Sequence, residues 1–137
     1  MRFMVIVKAN KDTEAGVLPS AEALATMNEF NAGLVKDGIL LAAEGLQASS
    51  KGARMKFAGG KPSIIDGPFA ETKELIAGFW LIQAKSKEEV IERFDRCPFT
   101  DGEEIEIRQA FEACDFGDAL PPQARELEQR MRAQGRS

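Results

Sequence analysis

Residues 3–7, Phe3-Met4-Val5-Ile6-Val7, are apolar without a break, and residues 79–82, Phe79-Trp80-Leu81-Ile82, repeat the pattern later in the chain. A strand with one solvated face alternates apolar and polar side chains, because successive residues point to opposite sides of the sheet. Neither run alternates, so both read as strands buried on both faces. Residues 104–108 differ. Glu104-Ile105-Glu106-Ile107-Arg108 has the period-two pattern of a half-exposed strand.

The punctuation between these strands is legible. Residues 11–19 form a polar connection. Ser20 is suited to cap a helix whose Ala23, Met27, Phe30 and Leu34 share one face, and Asp37-Gly38 closes it. Residues 39–43 restart as a strand. Residues 52–58 and 61–65 flank Gly59-Gly60 and read as a hairpin. The second apolar run lies within a strand over residues 75–84. Ser86 and Glu89 fit the S-x-x-E box that opens a helix, with Val90, Ile91 and Phe94 on its inner face and Pro98 as its stop. Beyond Ala110 come turn-like residues 115–118, then Pro121-Pro122, which can open a helix carrying Leu127 and Met131 at i and i+4. The chain thus divides into a domain over residues 1–110 and a C-terminal helical extension over residues 111–137.

Setting the hairpin aside as an insertion, the order is strand, helix, strand, strand, helix, strand. That is the α+β, ferredoxin-like βαββαβ plan, an antiparallel sheet with both helices on one face. Its first and third main strands are central and its last lies at an edge, in keeping with the apolar runs and the alternating one. The helices cover one face, so something apolar must cover the other. The hairpin and the charged tail are too polar for the whole task. A second copy packed sheet against sheet meets the need, which predicts a homodimer. Met4, Val5, Ile6, Phe79, Trp80, Leu81 and Ile82 would then serve both layers.

Composition excludes several functions. A net charge of −4 with scattered Lys and Arg argues against direct nucleic-acid binding. No apolar window approaches the length of a membrane span or signal-peptide core, and two cysteines without CxxC spacing suit a reducing, cytoplasmic setting. Cys97 and Cys114 read as packing residues. The absence of histidine removes imidazole bases, Ser-His-Asp and Cys-His catalysis, and most zinc or non-haem iron sites. No phosphate-binding glycine loop is present, so neither a metal nor a cofactor is expected.

What remains for chemistry is the stretch Asp66-Gly67-Pro68-Phe69-Ala70-Glu71-Thr72-Lys73-Glu74. Gly67 supplies backbone freedom, Pro68 restricts its neighbour, and Asp66 is suited to an Asx-turn. Phe69 is an apolar anchor. On these residues alone, a loop returning the chain from the hairpin to a central strand is a sufficient account.

The same nine-residue string resembles the signature of the DGPFAETKE branch of the YCII-related proteins. The likeness extends to the first strand, Gly45-Leu46, Gly78-Phe79-Trp80 and Glu106-Ile107-Arg108. The tail with Phe111-Glu112 and Asp115-Phe116-Gly117 is similar to an extension of some members. The resemblance implies a dimeric α+β barrel of two ferredoxin-like subunits, generally without an assigned activity, in some cases encoded beside extracytoplasmic-function sigma factors. A His–Asp pair suggested as catalytic in the wider group carries over only for its carboxylate, with Asp66 as the candidate.

The expected function is therefore small-molecule binding in a cleft beside the 66–74 loop, with Gly67, Pro68, Phe69, Glu71, Glu74, Arg54, Trp80 and Arg108 as candidate ligand-binding residues. Glu44 is a further carboxylate within reach. The alternatives are a dimeric-barrel enzyme using Asp66 as general acid or base, and a regulatory module linked to sigma-factor-dependent transcription.

Overall fold

In a computed structural model that describes residues 1–135, the elements run as follows. They are β1 (Arg2–Lys8), α1 (Lys11–Glu14), α2 (Ala21–Lys36), β2 (Leu40–Gly45), β3 (Ala53–Ala58), β4 (Lys61–Asp66), β5 (Ile76–Gln83), α3 (Lys87–Phe94), β6 (Ile105–Gln109) and α4 (Pro122–Gly135). The last two positions of the expected C-terminal extension lie outside the described residues. The protein is a mixed α+β structure. β1 and β5 are the central strands of a four-stranded antiparallel sheet of order β2-β5-β1-β6, while β3 and β4 form a separate two-stranded sheet.

The core lies on one face of the larger sheet. Phe3, Val5, Trp80 and Ile82 point into it and are buried with Leu34 of α2 and Val90 and Phe94 of α3. In β6, Ile105 and Ile107 turn toward the same side, whereas Glu106 and Arg108 are exposed, as expected of an edge strand. Trp80, Phe30 and Phe94 meet edge to face, with Trp80 and Phe94 centroids 5.1 Å apart. This geometry sets the positive ring edge against the negative ring face. The indole N–H donates to Asn31 Oδ1 at 2.7 Å, so the buried donor is satisfied.

The opposite face is left open. Met4, Ile6, Phe79 and Leu81 are only half-buried within this chain, in keeping with helices that cover one face of the sheet. The register places Met4 opposite Leu81 and Ile6 opposite Phe79, and these four form one apolar strip.

Local chemistry explains the boundaries. Ser20 Oγ accepts the Ala23 N–H at the start of α2, and Gly38, at φ 73°, follows its C-cap. The polar connection contains the short helix α1, fixed by reciprocal bonds in which Asn10 accepts from Thr13 N–H and Thr13 accepts from Asn10 N–H. In α3, Ser86 caps Glu89 as expected, but the Glu89 carboxylate accepts from the N–H of Lys85, one residue ahead of the cap. Ile91 is exposed, not inward. Val90 and Phe94, four apart, make the buried stripe, and the helix ends before Pro98 is reached.

After β6 the chain passes through a 3₁₀ segment, Ala113–Ala119, and α4 returns to the start of β1. Arg2 Nε lies 3.2 Å from Glu112 Oε1, and Arg132 binds both Glu112, at 2.5 Å, and Glu128. Burial opposes ionisation of Glu112, but the hydrogen bonds and charges of Arg132 and Arg2 outweigh it and hold the carboxyl below its usual range.

Candidate functional site

The 66–74 loop leaves β4 at the base of the hairpin. Gly67 N–H donates to Gly52 O at 3.0 Å, and the Gly67–Pro68 peptide is cis. The need for glycine at 67 is steric. A Cβ there would stand 1.7 Å from Ser49 O, so no side chain fits, and Gly67 has no positive φ to accommodate. Close approach, not the backbone freedom expected from the sequence, selects this glycine.

The loop is pinned through Ser49. Ser49 Oγ accepts the Phe69 N–H at 3.1 Å and donates to Glu14 Oε2 at 2.5 Å, while Glu14 Oε1 accepts the Ser49 N–H at 3.1 Å. A carboxylate on the α1 turn therefore holds, through one serine, the backbone of the loop. On the other side, the Arg54 guanidinium lies 3.9 Å from the centroid of the Phe69 ring, a cation–π contact that ties β3 to the loop. Glu71 adopts a left-handed conformation at φ 62°, which lets the chain turn into the 3₁₀ segment Thr72–Glu74.

The remaining candidates are distributed. Asp66 is exposed at the end of β4, opposite Ala53, and its carboxylate makes no hydrogen bond or ion pair among the described residues. Glu71 and Glu74 are exposed. Trp80 belongs to the core beneath α2. Arg108 lies on β6 beside Glu106, 3.4 Å away. Glu44 is opposite Phe79. Of the candidates, Arg54 and Phe69 are the pair that the fold brings into direct contact.

A cavity of about 390 Å³ borders the far end of the loop. Its walls include Thr72 and Lys73 from the loop, Lys8 from β1, Asn10 and Lys11 at α1, and Glu104. The backbone shapes it, since Ala9 N–H donates to Leu75 O and Lys8 N–H to Glu104 O, both at 2.9 Å. Lys8, Lys11 and Lys73 form no ion pair among the described residues. Three ammonium groups against one carboxylate favour an anion in this space. Sequence reading missed this grouping and the Glu14–Ser49–Phe69 link, because neither has a local spacing signal.

Other cavities lie outside the loop. One of about 620 Å³ lies between α4 and the open sheet face, walled by Leu41, Ala42, Leu81 and Met131 with Arg2, Glu112 and Arg132. Another of about 240 Å³ adjoins Asn31, Gly78, Phe79, Trp80 and Phe99. Among the described residues, no group of three or more His, Cys, Asp or Glu is placed to hold a metal, and no helix is long and apolar enough to cross a membrane. Cys97 and Cys114 are both free. Burial, reinforced by the negative charge of Glu103, pushes the Cys97 thiol up to about 11, which keeps it a protonated packing group.

Residues 1–113 match the YCII-related domain family. An uncharacterized protein of Rhizobium meliloti (strain 1021) is 38% identical over 47 residues, a stretch covering 34% of this chain and 38% of that protein. The chain thus spans well under two thirds of this relative's length.

Proposed function

This chain belongs to the YCII-related domain family, and we propose that it works as a homodimer binding a small organic anion beside the 66–74 loop. The observation that carries the ligand reading is the roughly 390 Å³ cavity with Lys8, Lys11 and Lys73 around it. Lys73 belongs to the nine-residue string of residues 66–74, which resembles the signature of the DGPFAETKE branch. A carboxylate or phosphate group would meet the ammonium groups, and Thr72 and Asn10 offer hydrogen-bonding side chains beside them.

The strand order β2-β5-β1-β6, with α2 and α3 on one face, supports the ferredoxin-like reading of each copy. The half-buried strip of Met4, Ile6, Phe79 and Leu81 supports pairing of two such sheets into an α+β barrel. Asp66 stands at the other end of the loop as the proposed acid or base, should the bound molecule also be transformed.

A thermal-shift screen with small carboxylic acids and phosphate monoesters tests the ligand reading on wild type, Lys73→Ala and Asp66→Asn. A ligand at a hundred times its Kd stabilises the folded state by about 2.7 kcal/mol. Stabilisation that disappears in Lys73→Ala supports the cavity. Stabilisation that persists there in full removes the cavity from consideration, and loss in Asp66→Asn adds that carboxylate to the binding residues.

A further inference from the structure

Glu14 and Ser49 are not among the residues that line the anion cavity, yet they join two of its walls. One wall comes from residues 9–14. Asn10 caps α1, its side chain accepting the Thr13 N–H while the Thr13 hydroxyl accepts the Asn10 N–H, both at 2.9 Å. These reciprocal bonds keep a helical turn closed although none of its four residues is buried. Lys11 at the start of the turn is thereby fixed relative to Glu14 at its end. The other wall comes from residues 69–75, which carry Thr72 and Lys73.

The two segments are tied at both ends. At one end the N–H of buried Ala9 donates to Leu75 O at 2.9 Å. At the other end the tie is made of side chains. Glu14 accepts the Ser49 N–H at 3.1 Å and the Ser49 hydroxyl at 2.5 Å, and that hydroxyl accepts the Phe69 N–H at 3.1 Å. Asn10, Lys11, Thr72 and Lys73 lie between the ties. Segments pinned at one end can splay, whereas segments pinned at both hold their facing residues at a set separation. A ligand then meets groups already in place, and less of its binding energy goes into ordering them.

Glu14 has the wrong sign to attract an anion. A carboxylate near a lysine-lined cavity repels the ligand through space, so any gain it brings to binding comes through position and not charge.

We propose that Glu14 and Ser49 are positioning residues for the anion site, a clasp that holds the Lys11 wall and the Lys73 wall at the separation that binding needs. The clasp rests on the ligand reading above and assigns part of the affinity to two side chains outside the cavity. It runs in series from Glu14 to Ser49 to Phe69, so loss of either residue opens it and loss of both does no more.

Calorimetric titration with inorganic phosphate, and with malonate where phosphate gives no heat, tests this. The proteins are wild type, Glu14→Ala, Ser49→Ala, Glu14→Ala/Ser49→Ala, Ser49→Thr, Asp12→Ala and Lys73→Ala, with Trp80 emission confirming folding in each. Asp12 is an exposed carboxylate of the same turn, with no side-chain hydrogen bond or ion pair among the described residues. Its removal takes away negative charge alone and is expected to leave binding unchanged or tighter. Glu14→Ala removes the same charge and is expected to weaken binding about tenfold, the opposite sign. Ser49→Ala and the double variant weaken it to the same extent, and Ser49→Thr, which keeps the hydroxyl, binds as wild type does.

Binding that is lost in Lys73→Ala but unchanged in Glu14→Ala and Ser49→Ala overturns the clasp and leaves the site standing. Losses that add in the double variant also overturn it, since the two side chains would then act separately. Absence of binding by both anions, or binding unchanged in Lys73→Ala, overturns the cavity reading and the clasp with it. If Ser49→Ala does not fold, Glu14→Ala compared with Asp12→Ala decides by the sign of the difference.

Discussion

Ser49 and Phe69 stand twenty positions apart, yet the Phe69 N–H donates to the Ser49 hydroxyl at 3.1 Å, and that hydroxyl donates in turn to Glu14. A helical turn, a loop and the nine-residue string are thereby joined through one side chain. The conformation of the 66–74 loop depends on residues that its own sequence does not contain.

Gly67 tests how tightly this junction is packed. Gly67→Ala places a methyl 1.7 Å from Ser49 O and is expected to cost about 1–3 kcal/mol or more, read from urea unfolding. Gly52→Ala is the control, because its new methyl would rest at an ordinary 3.6 Å from the same oxygen. Equal effects of the two would contradict the close approach.

Asn31 and Trp80 make a second test. Asn31→Leu leaves the buried indole N–H without its acceptor and is expected to lower stability by about 1–3 kcal/mol. The chain has one tryptophan, so the same variant can be followed by its emission. A stability equal to wild type would show that the indole finds another acceptor.

The two cysteines should behave differently toward a thiol reagent. Cys114 is exposed, whereas Cys97 is half-buried with its thiol at about 11. At pH 8, folded protein is expected to lose one thiol quickly and the other only on unfolding. Because the folded value of Cys97 is raised from 9.0, its neutral form stabilises the fold below pH 9 and that contribution falls away as the pH rises toward 11. Rapid modification of both thiols in the native state would contradict this.

Glu112 predicts the acid behaviour of the tail. Its carboxyl is depressed below 4.5, so its contribution to docking of α4 is present above that pH and is lost as pH falls through the folded value. Hydrogen exchange along α4 should accelerate on acidification, and Glu112→Gln should show the faster exchange already at neutral pH. Protection that does not change with pH would place the tail's anchor elsewhere.

The sequence was most informative where one residue's pattern needed only its neighbours. The unbroken runs around Val5 and Trp80 marked the two central strands, the alternation around Ile107 marked an edge, and Gly59-Gly60 marked the hairpin turn, where both glycines take positive φ. Ser20 and Ser86 marked helix starts for the same reason. What escaped was set by distance or by small differences in local chemistry. The four-residue α1 is closed by Asn10 and Thr13, a pair outside the S-x-x-E pattern. Ile91 matched the helical period but fell just off the narrow stripe of Val90 and Phe94. Within the candidate site, the string at residues 66–74 was conspicuous, and the contact of Arg54 with Phe69 joins two residues named from sequence. The lysines around the cavity come from β1, α1 and the loop, and only the folded chain places them together.

The open apolar strip of Met4, Ile6, Phe79 and Leu81 is the observation behind the proposed homodimer. The mass of the wild-type protein by light scattering, followed over a wide range of concentration, tests it most directly. The expected result is twice the chain mass of 15.0 kDa, falling toward a single chain only on extreme dilution. A mass of one chain that does not change with concentration would contradict it.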